Sequence, residues 1–213
     1  MTDPRSWSPP AHPPTDPDRI PALNGSHLFA AGRYASEAGA VRAFLSLERP
    51  ASLEIGFDHA MCLLDRARLW PNTLQLGLEI REARVSALPS PPANCLAWRA
   101  DARAALATVI PPGRISVIYV LFPDPIWNDA VRARRLLFSP AFVALCARAL
   151  TPTGCLHLAT DVEGYFGWAE HLLREWSPAD PPPLGTELSR RERVCKRDAI
   201  NIRRGTWQRP ALT

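Results

Sequence analysis

Five acidic residues occupy places in the chain where a carboxylate could hold a ligand. Four of them follow short apolar runs and a fifth lies within the first run: Glu79, Asp101, Asp124, Asp161 and Glu54. A carboxylate that ends a second strand is suited to accept both hydrogen bonds of a ribose diol, and one after a third strand can accept from an adenine amino group. The series therefore predicts a crevice that binds a nucleoside.

Asp124 has the most constrained surroundings of these acids. The run from Ile115 to Phe122 is apolar and rich in β-branched and aromatic residues, which is typical of a strand buried on both faces. Pro123 and Pro125 flank Asp124, and because proline cannot donate to a sheet ladder, strand pairing must stop there. We expect Asp124 to lie at the carboxyl edge of a sheet, where ligands bind in open α/β folds.

The acids share one crevice only if the apolar runs form parallel strands. The predicted strands cover 52–57, 74–78, 95–98, 115–122 and 154–159, and helical patterns lie between them. This alternation predicts the α/β class: a Rossmann-like, doubly wound, mostly parallel sheet with helices on both faces. One or two further closing strands are predicted, at 194–203 and around Trp207. The alternative interpretation of the acids is that they cap helices, as Asp101 could do for the helix that begins at Ala102.

Composition divides the chain into three parts. Residues 1–24 form a predicted disordered tail, with seven prolines in the first 21 positions, and residues 25–48 form a predicted helical extension capped at Ser36. Residues 49–213 form the predicted α/β domain. Its end is basic, since residues 187–213 carry eight Lys and Arg against three Asp and Glu.

The cysteine pattern and the hydropathy indicate the cellular compartment in which the protein is expected. The five cysteines are scattered with no C-x-x-C pair, and no signal-peptide pattern is present. We therefore expect a reduced, cytoplasmic protein. No apolar run is long enough for a transmembrane helix, so no membrane partner is expected, and the oligomeric state is left open.

Six short motifs follow one another in a fixed order between residues 50 and 170. They are L-E-I-G-F at 53–57, G-L-E at 77–79, D-A at 101–102, L-F-P-D-P at 121–125, R-R-L at 134–136 and A-T-D-x-E-x-Y at 159–165. In this order they resemble the bacterial tRNA (guanine-N7-)-methyltransferases, which are class I enzymes that use S-adenosylmethionine.

The resemblance implies roles for particular residues. It implies that the cofactor site is lined by Glu54, Gly56, Glu79 and Asp101. It also implies that Asp124 faces both the methyl donor and the guanine, as the residue expected to act in catalysis. Asp161 belongs to the substrate side. Apart from the resemblance, Arg134 and Arg135 are candidate contacts to tRNA phosphates, and the alternative is that they belong to a solvated charged face.

The chain departs from the family pattern at three places. The family reads E-I-G-x-G-x-G where this chain has Asp58 and Ala60 in place of the second and third glycines. The lysine-rich run after F-P-D-P and the late T-x-F-E element are also missing. Because glycine permits close approach of the backbone to a ligand, we expect weaker or repositioned cofactor binding.

Three hypotheses fit these observations. The first is a divergent methyltransferase that modifies a ring nitrogen of guanine in tRNA. The second is the same fold acting on a small nitrogen heterocycle, which the absence of the lysines and of T-x-F-E favours. The third is a catalytically impaired homologue that serves as a binding subunit, which Asp58 and Ala60 favour.

Overall fold

A computed structural model describes residues 31–125 and 136–211 of the 213-residue chain. Seven strands in these ranges form one sheet in the order β3-β2-β1-β4-β5-β7-β6. The strands are β1 Ala51–Ile55, β2 Leu74–Glu79, β3 Cys95–Arg99, β4 Ile115–Leu121, β5 Leu150–Thr160, β6 Ser177–Pro178 and β7 Arg203–Gln208. The first five pair in parallel, and β7 pairs antiparallel with β5 and β6. The predicted fold class is confirmed.

Helices connect the parallel strands and cover both faces of the sheet. They are α1 Ala31–Leu45, α2 Met61–Leu69, α3 Glu82–Ser86, α4 Ala102–Thr108, α5 Pro140–Ala149, α6 Glu163–Leu172 and α7 Arg190–Arg197. Among the residues of these two ranges, no helix is both long and apolar enough to cross a membrane.

The core is divided by the sheet into two clusters. The larger cluster joins α1, α4, α5 and α6 to side chains such as Leu53 and Ile55 of β1. The smaller cluster lies under α2 and includes Phe57, Leu63 and Leu64. Successive residues of a strand point to opposite faces, so Glu54, between Leu53 and Ile55, points toward α2.

Two predicted features at the ends of the domain differ from the structure. A helix, α7, forms where the sequence predicts a strand to begin at Val194, because Ser189 accepts a hydrogen bond from Glu192 N at 3.1 Å and so caps the helix. Cys195 is its buried residue. Ser36 lies inside α1 and therefore does not cap it.

A strap, residues 183–187, ties the C-terminal segment to the middle of the domain. Asp65 of α2 accepts from Thr186 N at 2.5 Å and from Glu187 N at 2.9 Å. The hydroxyl of Tyr119 in β4 donates to Pro183 O at 2.8 Å. The strap thereby fixes the start of α7.

Gly77 allows α2 to pack directly on β2. A Cβ at this position would collide with the side chain of Leu63 and would lie 2.7 Å from Cδ1 of Phe57. We expect Gly77→Ala to lower the free energy of unfolding by about 1–3 kcal/mol, measured by urea denaturation, because the added methyl overpacks the smaller core cluster.

The control for this substitution is Gly167→Ala in α6. A Cβ there meets nothing within 4 Å, so the better helix propensity of alanine should raise stability by up to about 1 kcal/mol. Equal effects of the two substitutions would contradict close packing at Gly77.

Candidate active site at the carboxyl edge of the sheet

The loop after β1 keeps a glycine-like backbone at all three positions of the motif. Gly56, Asp58 and Ala60 have φ angles of 76°, 46° and 56°. A left-handed conformation costs a residue with a Cβ about 1–2 kcal/mol, so two of these positions are strained. A Cβ built at Gly56 would meet nothing within 4 Å, which leaves open space beside the loop.

The carboxylate of Asp58 is neutralised within the protein. Its Oδ1 lies 2.8 Å from Arg81 Nη2 and 2.9 Å from Arg84 Nε, and its Oδ2 lies 3.8 Å from Nε2 of His59. The repulsion expected between Asp58 and the carboxylate of a bound ligand is therefore reduced by two adjacent cations.

Glu79 ends β2 and is 3% exposed. Its Oε1 accepts from the backbone N and the Nε of Arg81, at 3.0 and 3.1 Å. Its Oε2 accepts from Asp58 N and from Arg81 Nη2, both at 3.1 Å. The hydrogen bond to Glu79 raises the pKa of Arg81.

Asp101 follows β3 and caps α4. Its Oδ1 accepts from the backbone N of Arg103 at 2.8 Å, and its Oδ2 accepts from Arg103 Nη2 at 2.8 Å. Burial alone would raise the pKa of Asp101, but the hydrogen bonds and charge of Arg103 outweigh it and the pKa is lowered. The helix-cap interpretation of this acid describes what the structure shows.

Asp124 lies just beyond the central strand β4. The backbone N of Phe122 donates to Ala159 O at 2.7 Å, which extends the pairing with β5 by one residue. Phe122 then takes a φ of 52°, so the chain turns sharply out of the sheet before Pro123. Asp124 is exposed. Burial raises the pKa of the Tyr165 hydroxyl and the negative charge of Asp124 raises it further.

Asp161 follows β5 and binds an arginine of α7. Its Oδ2 accepts from Arg191 Nε at 3.2 Å and also from Arg191 Nη2. This contact anchors α7 at the carboxyl edge of the sheet. Arg134 and Arg135 lie outside the described residues.

Glu54 lies within β1, one residue before its end, and its implied role at the cofactor site stays a prediction. Its side chain is buried on the α2 face, where Arg66 Nη2 donates to Oε2. The guanidinium carbon of Arg66 lies 4.1 Å from the ring centre of Tyr119. Burial raises the pKa of Glu54 and Arg66 opposes that rise. Glu54 thus forms a buried ion pair with Arg66 between β1 and α2.

A cleft of about 620 Å³ separates the β1 loop from α7. It is lined by His59 and Met61 on one side and by Arg190 and Arg193 on the other. Arg190, Arg193 and Lys196 of α7 are all exposed, and the first two of these cations lie at this cleft.

The ion pairs between these acids and arginines are not predicted from the sequence. Arg81 and Arg103 each stand two residues after the acid that they bind, so an acid-x-Arg pattern is present that could have indicated them. Arg191 binds Asp161 across 30 residues of chain, and no local pattern marks that contact.

Comparison with known proteins agrees with the motif resemblance. Residues 48–179 match the family described as "Putative methyltransferase". The tRNA (guanine-N(7)-)-methyltransferase of Cronobacter sakazakii is 32% identical over 152 residues, which cover 69% of this chain and 62% of that protein. The enzyme of the same name from Burkholderia mallei is 36% identical over 137 residues, which cover 62% of this chain and 50% of that protein. The chain thus spans between half and two thirds of these curated relatives.

Solved structures share the fold at low sequence identity. The 16S rRNA methyltransferase KamB superposes with a TM-score of 0.56 at 18% identity, covering 83% of this chain and 94% of that chain. The aminoglycoside resistance methyltransferase NpmB1 gives a TM-score of 0.53 at 17% identity, covering 81% and 93%. These neighbours show the class I methyltransferase fold.

The contribution of the buried Glu54–Arg66 ion pair to stability can be tested by substitution. We expect Glu54→Gln to lower the free energy of unfolding by about 3–5 kcal/mol, because it leaves the Arg66 charge buried without a counter-ion. Urea denaturation measures the change. The double substitution Glu54→Leu with Arg66→Met removes both charges and should cost far less. A decrease below about 1 kcal/mol for Glu54→Gln would contradict a buried ion pair.

Proposed function

Because the chain belongs to the family described as "Putative methyltransferase", we propose that it transfers a methyl group from S-adenosylmethionine to N7 of a guanine in tRNA. The fold places the strand-end acids at one edge of a parallel sheet, where ligands of such folds bind. The two relatives are named as tRNA methyltransferases, and the L-F-P-D-P and A-T-D motifs that carry the resemblance to them lie at the ends of β4 and β5.

The observation that carries the proposal is the position of Asp124. It is an exposed carboxylate at the end of the central strand, held by the left-handed turn at Phe122 and by the two prolines around it. A carboxylate can accept from guanine N1–H and from the exocyclic amine together. Guanine held in this way presents N7 to the methyl donor, and N7 carries no proton to remove. Asp124 therefore orients the base and does not act as a general base.

Glu79 and Asp101 suit the proposed cofactor. Glu79 ends β2, where an acid suits a ribose diol, and Asp101 follows β3, where it can accept from an adenine amino group. The open space beside Gly56 leaves room for a group close to the backbone. When bound, the cofactor would supply the methyl group: a carbon–nitrogen bond to N7 would form as the carbon–sulfur bond breaks, and the positive charge would pass from sulfur to the purine.

We propose that α7 contacts the tRNA backbone. Its Arg190 and Arg193 line the cleft beside the loop after β1, and Lys196 is exposed on the same helix. Phosphate contacts by Arg and Lys supply most of the sequence-independent affinity for nucleic acid. A tRNA substrate places the working protein in the cytoplasm.

A methylation assay tests the proposed reaction. Methyl transfer from labelled S-adenosylmethionine to bulk tRNA should fall by about 10²–10³-fold in Asp124→Asn, because the amide offers one acceptor where guanine needs two. Binding of the cofactor, measured by calorimetry, should change little.

The matched control is Asp180→Asn, which alters an exposed acid in a loop distant in sequence from the motifs. Methylation of a purine panel but not of tRNA would replace the proposed substrate with a small heterocycle. Absence of cofactor binding in the wild-type protein would favour an impaired homologue acting as a binding subunit.

The role of α7 is tested by removing its charge. We expect the triple substitution Arg190→Ala, Arg193→Ala and Lys196→Ala to weaken tRNA binding. The slope of log affinity against log salt should fall by about one for each phosphate that the helix no longer neutralises. Arg174→Ala, at an exposed site beyond α6, is the control. An unchanged salt slope would place the tRNA elsewhere.

A further inference from the structure

We propose that Arg81 blocks the cofactor site. Its guanidinium, here called the plug, occupies the position on Glu79 that the ribose diol of the cofactor would take. The inference rests on the proposed function, since it concerns the ribose of the proposed cofactor. It goes further by assigning a role to a residue that lies outside the family motifs.

The hydrogen bonds to Glu79 leave no acceptor position for a ligand. A carboxylate has about four lone-pair sites, two on each oxygen. Both sites on Oε1 are filled by Arg81 N and Nε, and both sites on Oε2 are filled by Asp58 N and Arg81 Nη2, at 3.0–3.1 Å. A ribose diol donates two hydrogen bonds, so two of the present donors must leave before it binds.

Only the guanidinium can leave without a change in the fold. The two backbone donors belong to the β1 loop and to the residue that precedes α3, and they are fixed by the chain on either side. The Arg81 side chain is 53% exposed and can swing into solvent. Its Nε and Nη2 bind the two oxygens of Glu79 side by side, as two vicinal hydroxyls would.

Asp58 anchors the plug at a second carboxylate. Arg81 Nη2 lies 2.8 Å from Asp58 Oδ1, so one nitrogen bridges Glu79 and Asp58. When Arg81 leaves, Asp58 keeps its contact with Arg84 Nε at 2.9 Å and its charge stays compensated. The acid that replaces the second glycine therefore favours the plugged state and tolerates the open one.

The plug lowers apparent cofactor affinity in proportion to the plugged population. If the plugged form is favoured about tenfold, the apparent dissociation constant is raised about tenfold, because only the open fraction can bind. The contact is a partly exposed ion pair and is weakened by salt.

Calorimetry with S-adenosylhomocysteine on the full chain tests the inference. This probe carries the same ribose and lacks the sulfonium charge. We expect Arg81→Ala to bind it about tenfold more tightly than wild type, and Arg81→Lys to bind it more tightly to a smaller extent. Arg84→Ala is the matched control, since it contacts Asp58 without touching Glu79, and it should bind no more tightly than wild type.

A salt series gives a second readout. Wild-type affinity for the probe should rise between low and high ionic strength as the plug weakens, whereas Arg81→Ala affinity should not. If wild type and Arg81→Ala both bind but with equal affinity, or if Arg81→Ala binds more weakly, the plug is overturned while the proposed function stands. If neither protein binds the probe, the proposed function fails and this inference falls with it.

Discussion

The parallel pairing of β4 between β1 and β5 is the constraint on which the candidate site depends. It aligns Ile118 with Leu53 on one side and with Leu156 on the other, and so fixes where each strand ends. The acids beyond those ends consequently face one edge of the sheet. Phe122 takes a strained left-handed backbone conformation, and this turn directs Asp124 out of the sheet at that edge.

Carboxylates that lie together at one edge of the sheet repel one another, and arginines of the same chain reduce this repulsion. Glu79, Asp101 and Asp161 each bind a guanidinium, from Arg81, Arg103 and Arg191 respectively. Each pair lowers the repulsion between acids in the free protein. Each pair must also be loosened when a ligand uses the same oxygens, so the arrangement that stabilises the free crevice opposes its occupation.

Much of the fold is predictable because its signals are local. The run at β4 and its terminal prolines predict a strand to within one residue of Ile115–Leu121. The strand predicted at 194–203 is wrong because the arginine-rich segment has little apolar periodicity, although Ser189 and Glu192 carry the capping signal that explains α7. The position of Glu54 could not be predicted, since a residue within a strand can point to either face until the packing of α2 is known. The rotamer of Arg81 likewise depends on tertiary neighbours.

The strap and β7 join parts of the chain that are far apart in sequence, and this affects the order in which the domain folds. Asp65 binds Thr186 across 121 residues, and β7 must enter the sheet beside β5 after most of the chain already exists. Contacts of such long sequence separation form late, because closing a long loop has an entropic cost. A chain emerging from the ribosome therefore builds the five parallel strands first, and α7 with its exposed cations is added only after them.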